Sequence, residues 1–279
     1  IRKIRNKYQR VWRENCQDLF HIMLRELTDY GIAVYKVSED LAQPIDLRFA
    51  NVENINFNGA QLDDALFDGS NCKSSLFIGA SCKNVSFYVS DCSKTQFSYS
   101  NCYWSFFEAA ECPEADFSHA DCISGVFINA YCYKSIFIDS DCNSVLFDGA
   151  NCGESNFEIA FCGNSCFDGV DFTKANLKRA SFDYCTFDDI EKIKDEIVTK
   201  EKCNFTYTTF DRATFVGVNT ATVDWSKNPG MKRYIEQQQF VEDIIGKNWF
   251  TRYVFPGGVW WLIADYGRSV FRLFAFISI

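Results

Sequence analysis

The apolar residues of this chain recur at every fifth position, a spacing that fits neither a helix, which repeats near every 3.6 residues, nor a strand, which repeats every 2. Cysteine occupies every tenth position from 72 to 162, and phenylalanine every tenth position from 57 to 167. Together they form the centres of five-residue units, and the frame extends from Leu47 to Phe187, which makes 29 centres. The pattern predicts a chain that turns a corner in every unit.

A small residue precedes each centre by two positions, often with Asn or Asp between them, as in Ala150-Asn151-Cys152. In these units the chain resembles the pentapeptide-repeat proteins, whose unit is A-(D/N)-(L/F)-x-x. The resemblance implies an all-β solenoid, a right-handed quadrilateral β-helix with four units per coil, whose centres and small residues point inward. We expect about seven coils plus a final partial coil. The chain departs from the family by placing Cys at every second centre.

Four units per coil place residues 20 apart on the same face of the solenoid and residues 10 apart on opposite faces. The interior then contains two opposed columns of Phe and two opposed columns of Cys. Large and small side chains must complement one another to fill a narrow interior at native packing density. The scarcity of Leu, with 28 Phe and 14 Cys in 279 residues, follows from this alternation.

The cysteine ladder has two interpretations, a metal or redox column and a packing role. Zinc sites favour CxxC-like spacing, which is missing from this sequence. Disulfides need Cβ atoms near 3.8 Å, whereas stacked strands lie about 4.8 Å apart. We therefore expect small buried hydrophobes in a reducing compartment, with no metal or cofactor. Cys16, Cys166, Cys185 and Cys203 lie off the ladder centres, where we expect any reactivity.

The repeat divides the chain into three parts. Residues 1–44 predict an N-terminal helical cap, and residues 45–225 the β-helix. Within it, residues 190–202 interrupt the repeat, and we expect a charged helical insertion there; the phase resumes at Phe205, Phe210 and Phe215. Residues 226–279 predict an amphipathic helix followed by a juxtamembrane segment.

The last segment has the composition of a membrane interface. Trp260, Trp261 and Tyr266 favour that interface, and Arg268 and Arg272 are suited to anchoring in headgroups. The run resembles the juxtamembrane segment of bacterial pentapeptide-repeat proteins that continue into a two-helix, potassium-channel-like pore. Because only seven uncharged residues follow the last arginine, we expect a longer protein. The alternative is a C-terminal helix that docks on the solenoid or forms a dimer.

The surface charge is concentrated on the repeat. Residues 51–190 contain 20 acidic and 7 basic residues, whereas the whole chain has a net charge of −9. This balance argues against direct nucleic-acid binding. It allows a soluble acidic rod that mimics DNA or binds a partner and so regulates a nucleic-acid enzyme such as gyrase, and it also fits simple solubility of a thin rod.

One outward column is apolar instead of polar, which usually marks a contact with another protein or element. We expect it to pack against another subunit or the chain's own N-terminal helices. The candidate interface residues are Leu66, Tyr103, Trp104, Phe106, Ile123, Val126 and Leu146.

The sequence predicts a structural rather than catalytic protein. His21 and His119 lie in no nucleophile or metal motif, so we assign no catalytic residue and expect no enzyme activity. The first functional hypothesis is the cytoplasmic domain of an oligomeric, ion-channel-like membrane protein at the inner membrane, acting as an assembly or sensing platform. It would be a homo-oligomer, a tetramer if channel-like and a dimer otherwise. The alternatives are the soluble cytoplasmic acidic rod and a plain structural scaffold.

Overall fold

A computed structural model describes residues 45–188, 190–194, 197–219, 221, 223 and 225–247. The backbone forms a four-sided coil, because from Asp46 to Thr186 the residues at outward bridge positions pair in parallel with the residues 20 positions later. Four ladders begin at Asp46, Asn51, Asn56 and Gln61, and each contains seven bridges. The predicted four units per coil are therefore confirmed. Seven spacings of ~4.8 Å give a rod of about 34 Å.

Single-residue bridges hold the sides of the coil together. The N–H of Phe67 donates to the carbonyl of Ser86 at 2.7 Å, and the N–H of Leu66 donates to the carbonyl of Ile45 at 2.8 Å. The N–H of Ala50 donates to the carbonyl of Leu47 at 3.0 Å across the corner, and this contact recurs along the rod. Each side is thus too short for an extended strand, yet its backbone groups are paired.

Every corner uses a left-handed backbone conformation. The residue two positions after the centre has a φ between 53° and 65° at all 28 corners from 49 to 184. Glycine and Asn tolerate this conformation well. Val89 and Ile159 are β-branched residues with φ of 54° and 63°, so these two corners store backbone strain.

The interior follows the predicted alternation. The twelve Phe side chains from Phe57 to Phe167 are fully buried in two columns. Rings within a column stack with centroids 4.6–5.0 Å apart. Rings of opposite columns meet edge to face, as for Phe107 and Phe117 at 5.2 Å and 90°. Both arrangements are favourable for aromatic quadrupoles.

The interruption after the seventh coil is a β-hairpin, so the predicted helical insertion over 190–202 is wrong. Strand β1 (Ile190–Lys194) pairs antiparallel with β2 (Ile197–Glu201). Five of the ten residues in IEKIK and IVTKE are β-branched, and β-branched side chains favour strands over helices. The bridge from Asp171 reaches Asn204, 33 residues on instead of 20, so thirteen residues loop out before the coil resumes.

A 19-residue helix closes the C-terminal end of the coil. A 3-10 turn at Trp225–Lys227 leads into helix α1 (Pro229–Lys247). Met231 and Ile235 of α1 are fully buried. The Gln238 side chain accepts from the Phe215 N–H at 2.9 Å and donates to the Ala213 carbonyl at 2.7 Å. The helix thereby satisfies backbone groups that an open edge would expose.

Candidate interaction surface

One side of the coil lacks charge along six consecutive coils. Its outward bridge residues stack directly above one another between Asp46 and Thr186. We call this side the apolar wall; its six residues are Leu66, Ser86, Phe106, Val126, Leu146 and Cys166. Phe106 is exposed, with 39% of its surface accessible, and the others are half-buried.

The first corner beside the apolar wall extends its hydrophobic surface. The Tyr103 and Trp104 rings stack at 5.6 Å and an interplanar angle of 10°, and 53% of Trp104 is exposed. The Trp104 N–H donates to the Ile123 carbonyl at 3.0 Å, which places Ile123 on the next coil. The structure therefore brings all seven candidate interface residues together on one wall and its adjoining corner; their role in binding stays a prediction.

The corner on the other side of the wall adds two residues that the sequence analysis missed. Tyr88 and Val89 are 48% and 51% exposed there, and the backbone pairs Val89 with Glu108. The twenty-residue spacing of 88, 108 and 128 was the available signal, since it places Tyr88 and Ile128 in one outward column.

The three other walls are mostly polar, with single apolar residues such as Leu76, Ile136 and Phe161 among polar ones, and the polar residues have a local structural role. Asn or Asp at the bridge position accepts a hydrogen bond from the N–H two residues later, as in Lys73 to Asn71 at 3.1 Å and Ile123 to Asp121 at 3.2 Å. Such Asx turns stabilise corners. The side chains of Leu66, Phe106 and Val126 have no hydrogen-bond acceptor, so the corners that follow them lack the stabilisation of an Asx turn.

The corner that contains Tyr88 and Val89, here called the second corner, is lined by carboxylates toward the C-terminal end of the rod. The Asp168 N–H donates to Asp148 Oδ1 at 3.3 Å, and the Asp188 N–H donates to Asp168 Oδ1 at 2.7 Å. Partial burial raises the pKa of the Asp148 carboxyl, and the neighbouring Asp168 charge adds to that rise. Burial likewise raises the pKa of Asp121, next to Asp141. The apolar wall is therefore bordered by acidic surface.

The ladder cysteines are free and buried. Burial raises the pKa of the Cys72, Cys152 and Cys162 thiols, because an apolar interior disfavours the thiolate. Among the described residues, no cluster of three His, Cys, Asp or Glu side chains is arranged to hold a metal. The packing interpretation accounts for all ten ladder positions.

The expectation of reactive thiols off the ladder is wrong for Cys185 and Cys203. Both are 3% exposed in the small position, where their Sγ atoms donate to the carbonyls of Cys162 at 2.7 Å and Phe167 at 2.9 Å. Burial raises the pKa of Cys185 to about 12. Cys166 is half-buried on the apolar wall, and burial also raises its pKa. Cys16 lies outside the described residues.

A surface stack involving His119 was not foreseen from the sequence. The His119 ring lies 4.6 Å from the Tyr99 ring, nearly parallel, and its Nδ1 is 3.1 Å from Asp139 Oδ2. Tyr99 is 64% exposed. These three residues occupy one corner column on successive coils, an arrangement that needs no further partner.

The candidate membrane-interface residues lie outside the described part of the chain, as does the predicted N-terminal cap. They are Trp260, Trp261, Tyr266, Arg268 and Arg272. Within the described residues, none of the helices combines the length and the apolar character required to cross a bilayer.

Comparisons with known structures return matches of low sequence identity. HetL, a pentapeptide repeat protein involved in heterocyst differentiation regulation from the cyanobacterium Nostoc, is 14% identical, with a TM-score of 0.29 over 67% of this chain and 91% of HetL. A trypsin-treated variant of QnrB1, a plasmid-mediated fluoroquinolone resistance protein, is 13% identical, with a TM-score of 0.37 over 68% of this chain and 95% of QnrB1. A comparison with curated proteins returns no match.

The family assignment depends on two observations, a match to a family of sequences and the repeating bridges of the coil. Residues 45–81 match the family described as pentapeptide repeats, in eight copies. The same bridges continue without a break to Thr186 and resume through Thr214. The chain is therefore a pentapeptide-repeat protein.

Proposed function

We propose that this chain is a rigid, non-catalytic rod that assembles with other copies of itself through the apolar wall. The observation that carries the proposal is the uncharged outward column from Leu66 to Cys166 on a chain whose net charge is −9. Contiguous exposed apolar surface of this kind marks contact sites on soluble elements.

The residues at the centre of this surface are suited to an interface. Phe106, Tyr103 and Trp104 are exposed aromatics on adjoining positions. Large aromatic side chains are enriched among the residues that contribute most to binding, especially near the middle of an interface. Half-buried Val126 and Leu146 extend the surface along the rod. Burying these groups would remove apolar area from water at about 25 cal/mol per Å².

The charge distribution favours a second copy on this wall. Two copies of an acidic rod repel each other wherever their carboxylates approach. The apolar wall is a side along which two rods can meet without bringing like charges into a buried contact. Aspartates such as Asp148 and Asp168 at its border would stay at the solvated rim, where charge has little energetic effect.

The double variant Phe106→Glu/Val126→Glu tests this function. It should shift the full-length chain from oligomer to monomer in sedimentation velocity, because the added carboxylates would be buried without partners. Leu76→Glu/Ile136→Glu is the matched control, since these half-buried apolar residues lie on the opposite wall. A monomeric wild-type chain, or equal effects of the two pairs, would contradict the proposal.

A more specific form of the proposal places the rod on the cytoplasmic side of a membrane, as the assembly or sensing platform of a channel-like oligomer. Its support is the sequence run containing Trp260, Trp261, Arg268 and Arg272. Fractionation of the full-length protein is the direct test. Recovery in membranes is expected, and recovery in the soluble fraction would overturn this form while leaving self-assembly in place.

The second candidate is an acidic rod that binds a DNA-processing enzyme such as gyrase. The stacked carboxylates of Asp148, Asp168 and Asp188 favour it, since they present negative charge at regular coil spacing. Asp148→Lys/Asp168→Lys should then abolish competition with duplex DNA for gyrase, whereas Phe106→Glu/Val126→Glu should not. Competition that survives the lysine pair would remove this candidate.

A further inference from the structure

The side chains of the apolar wall alternate in size, which distinguishes between ways of pairing two copies. In order along the rod, they are Leu66, Ser86, Phe106, Val126, Leu146 and Cys166. Self-association of identical rods by one wall has two symmetric solutions. A two-fold axis along the rod makes the copies parallel, and an axis across it makes them antiparallel.

The parallel arrangement matches each residue with its own copy. Phe106 would then face Phe106, and Ser86 would face Ser86, one coil away. Two large rings would hold the walls apart while two small side chains left a gap beside them. Such a contact cannot reach the packing density of a well-formed interface.

The antiparallel arrangement pairs large with small when the axis passes between Phe106 and Val126. Phe106 then faces Val126 of the other copy, Ser86 faces Leu146, and Leu66 faces Cys166. Shifting the axis by half a coil, onto Phe106, restores the Phe106–Phe106 contact. A shift of one full coil toward the N-terminus brings the charged Asp46 against Leu146 in the contact.

The first corner fits the same register. An axis perpendicular to the rod and parallel to the wall keeps each corner on its own side, so Tyr103 faces Ile123 of the other copy. Both residues are apolar and lie on adjoining coils. On the second corner, Tyr88 faces Asp148, which matches a phenol donor with a carboxylate acceptor. The like-charged pair in this register, Asp68 opposite Asp168, lies at the two ends of the contact, where solvent screens the charges.

We propose that two copies pair antiparallel through the apolar wall, with the two-fold axis between Phe106 and Val126. This inference rests on the proposed self-assembly and adds the orientation and register. It requires a contact between residues that are 100 positions apart in the sequence, namely Leu66 of one copy and Cys166 of the other. Cys166 therefore provides a native thiol opposite Leu66 of the other copy.

Cysteine cross-linking of the full-length chain tests the register. Leu66→Cys should give a covalent dimer with a short bis-maleimide at a yield at least ten-fold above wild type, because the introduced thiol lies against Cys166. Leu66→Cys/Cys166→Ser should lose this product. Asn71→Cys on the neighbouring polar wall is the matched control and should not cross-link.

The outcomes separate this inference from the function on which it rests. A cross-link that persists in Leu66→Cys/Cys166→Ser means that the introduced thiols face each other, and it overturns the antiparallel register. If Phe106→Glu/Val126→Glu disrupts the dimer but Leu66→Cys gives no cross-link, the register is overturned and self-assembly through the wall still holds. A chain that sediments as a monomer overturns both.

Discussion

The middle of the rod and its C-terminal end fill the same cross-section in opposite ways. From Phe67 to Phe167, two opposite columns contain Phe and the other two contain Cys. At the end of the rod, Phe172 and Phe182 stand above Cys152 and Cys162, and Leu177 stands above Phe157. The two columns that contained small Cys side chains now contain Phe, and one column that contained Phe now contains the smaller Leu.

Ring geometry records this exchange. In the middle, rings within a column differ by 3–20° and rings of opposite columns by 76–90°. At the end several pairs between columns are tilted, as for Phe167 and Phe172 at 47° and Phe157 and Phe182 at 54°, while rings within a column stay stacked, as for Phe182 and Phe215 at 9°. The coil therefore constrains the total side-chain volume at each level more strongly than the position of the large residues.

Truncating a ring in the middle column should produce the largest loss of stability. Phe117 stacks on Phe97 at 4.8 Å and Phe137 at 5.0 Å, and it meets Phe107 and Phe127 edge to face. Phe117→Ala should lower the free energy of unfolding by about 3–5 kcal/mol, since a cavity in a regular stack cannot collapse. Urea unfolding followed by circular dichroism measures it.

The matched control for that prediction is at the other end of the comparison. Phe210→Ala removes the same side chain from the last coil, where the ring is only partly buried beside Tyr234 of α1. The loss there should be less than half that of Phe117→Ala. Equal losses would show that the middle columns have no special packing role.

Converting a middle coil to the composition of the end coil tests the volume rule directly. Cys132→Phe alone should destabilise the rod by about 2–3 kcal/mol through overpacking. The triple variant Cys132→Phe/Phe137→Leu/Cys142→Phe reproduces the order of Phe172, Leu177 and Phe182. Its loss should be smaller than the sum of the three single losses, because neighbouring core substitutions couple. Additive losses, measured by the same unfolding assay, would contradict the rule.

The sequence determined the middle of the rod almost completely, because its period is strict. Every fifth residue from Leu47 to Phe187 predicted an inward centre, and the twenty-residue bridges confirmed four units per coil. The same spacing brought the seven candidate interface residues onto one wall and corner. Sequence periodicity is informative here because each residue has the same neighbours, 20 positions away, throughout the coil.

The sequence was less informative where the period stops. The charged residues of 190–202 suggested a helix, although the β-branched Ile190, Ile193, Ile197, Val198 and Thr199 favour the hairpin that forms. The capping contacts of Gln238 follow from tertiary packing, which no local pattern records. The exposure of Tyr88 also escaped notice, because its neighbours in the column are charged or half-buried.

The end of the rod should depend on the hydrogen bonds of its cap more than on ring stacking. Gln238→Ala removes an acceptor from the Phe215 N–H and a donor from the Ala213 carbonyl. The loss should be about 1–2 kcal/mol, since the edge groups lose their partners. Gln237→Ala, one residue earlier on α1, is the control and should change stability by less than about 0.5 kcal/mol. Thermal unfolding of the wild type and the two variants measures these losses. Equal midpoints for the two variants would show that the Gln238 contact adds no stability.

The corners offer the smallest effect, and it has the opposite sign. Val89 and Ile159 have φ of 54° and 63°, a conformation that β-branched residues rarely adopt. Val89→Gly and Ile159→Gly should each raise the free energy of unfolding by up to about 1 kcal/mol, because relief of the left-handed strain outweighs the added entropy of the unfolded chain. Glu108→Gly, at an exposed position without positive φ, should instead destabilise the rod. The corners at 59, 69 and 79 already contain glycine, so the fold accepts glycine at this position. A higher midpoint of thermal unfolding for Val89→Gly would indicate that Val89 is kept for its exposed side chain beside the apolar wall. An unchanged or lower midpoint would show that this corner carries no strain.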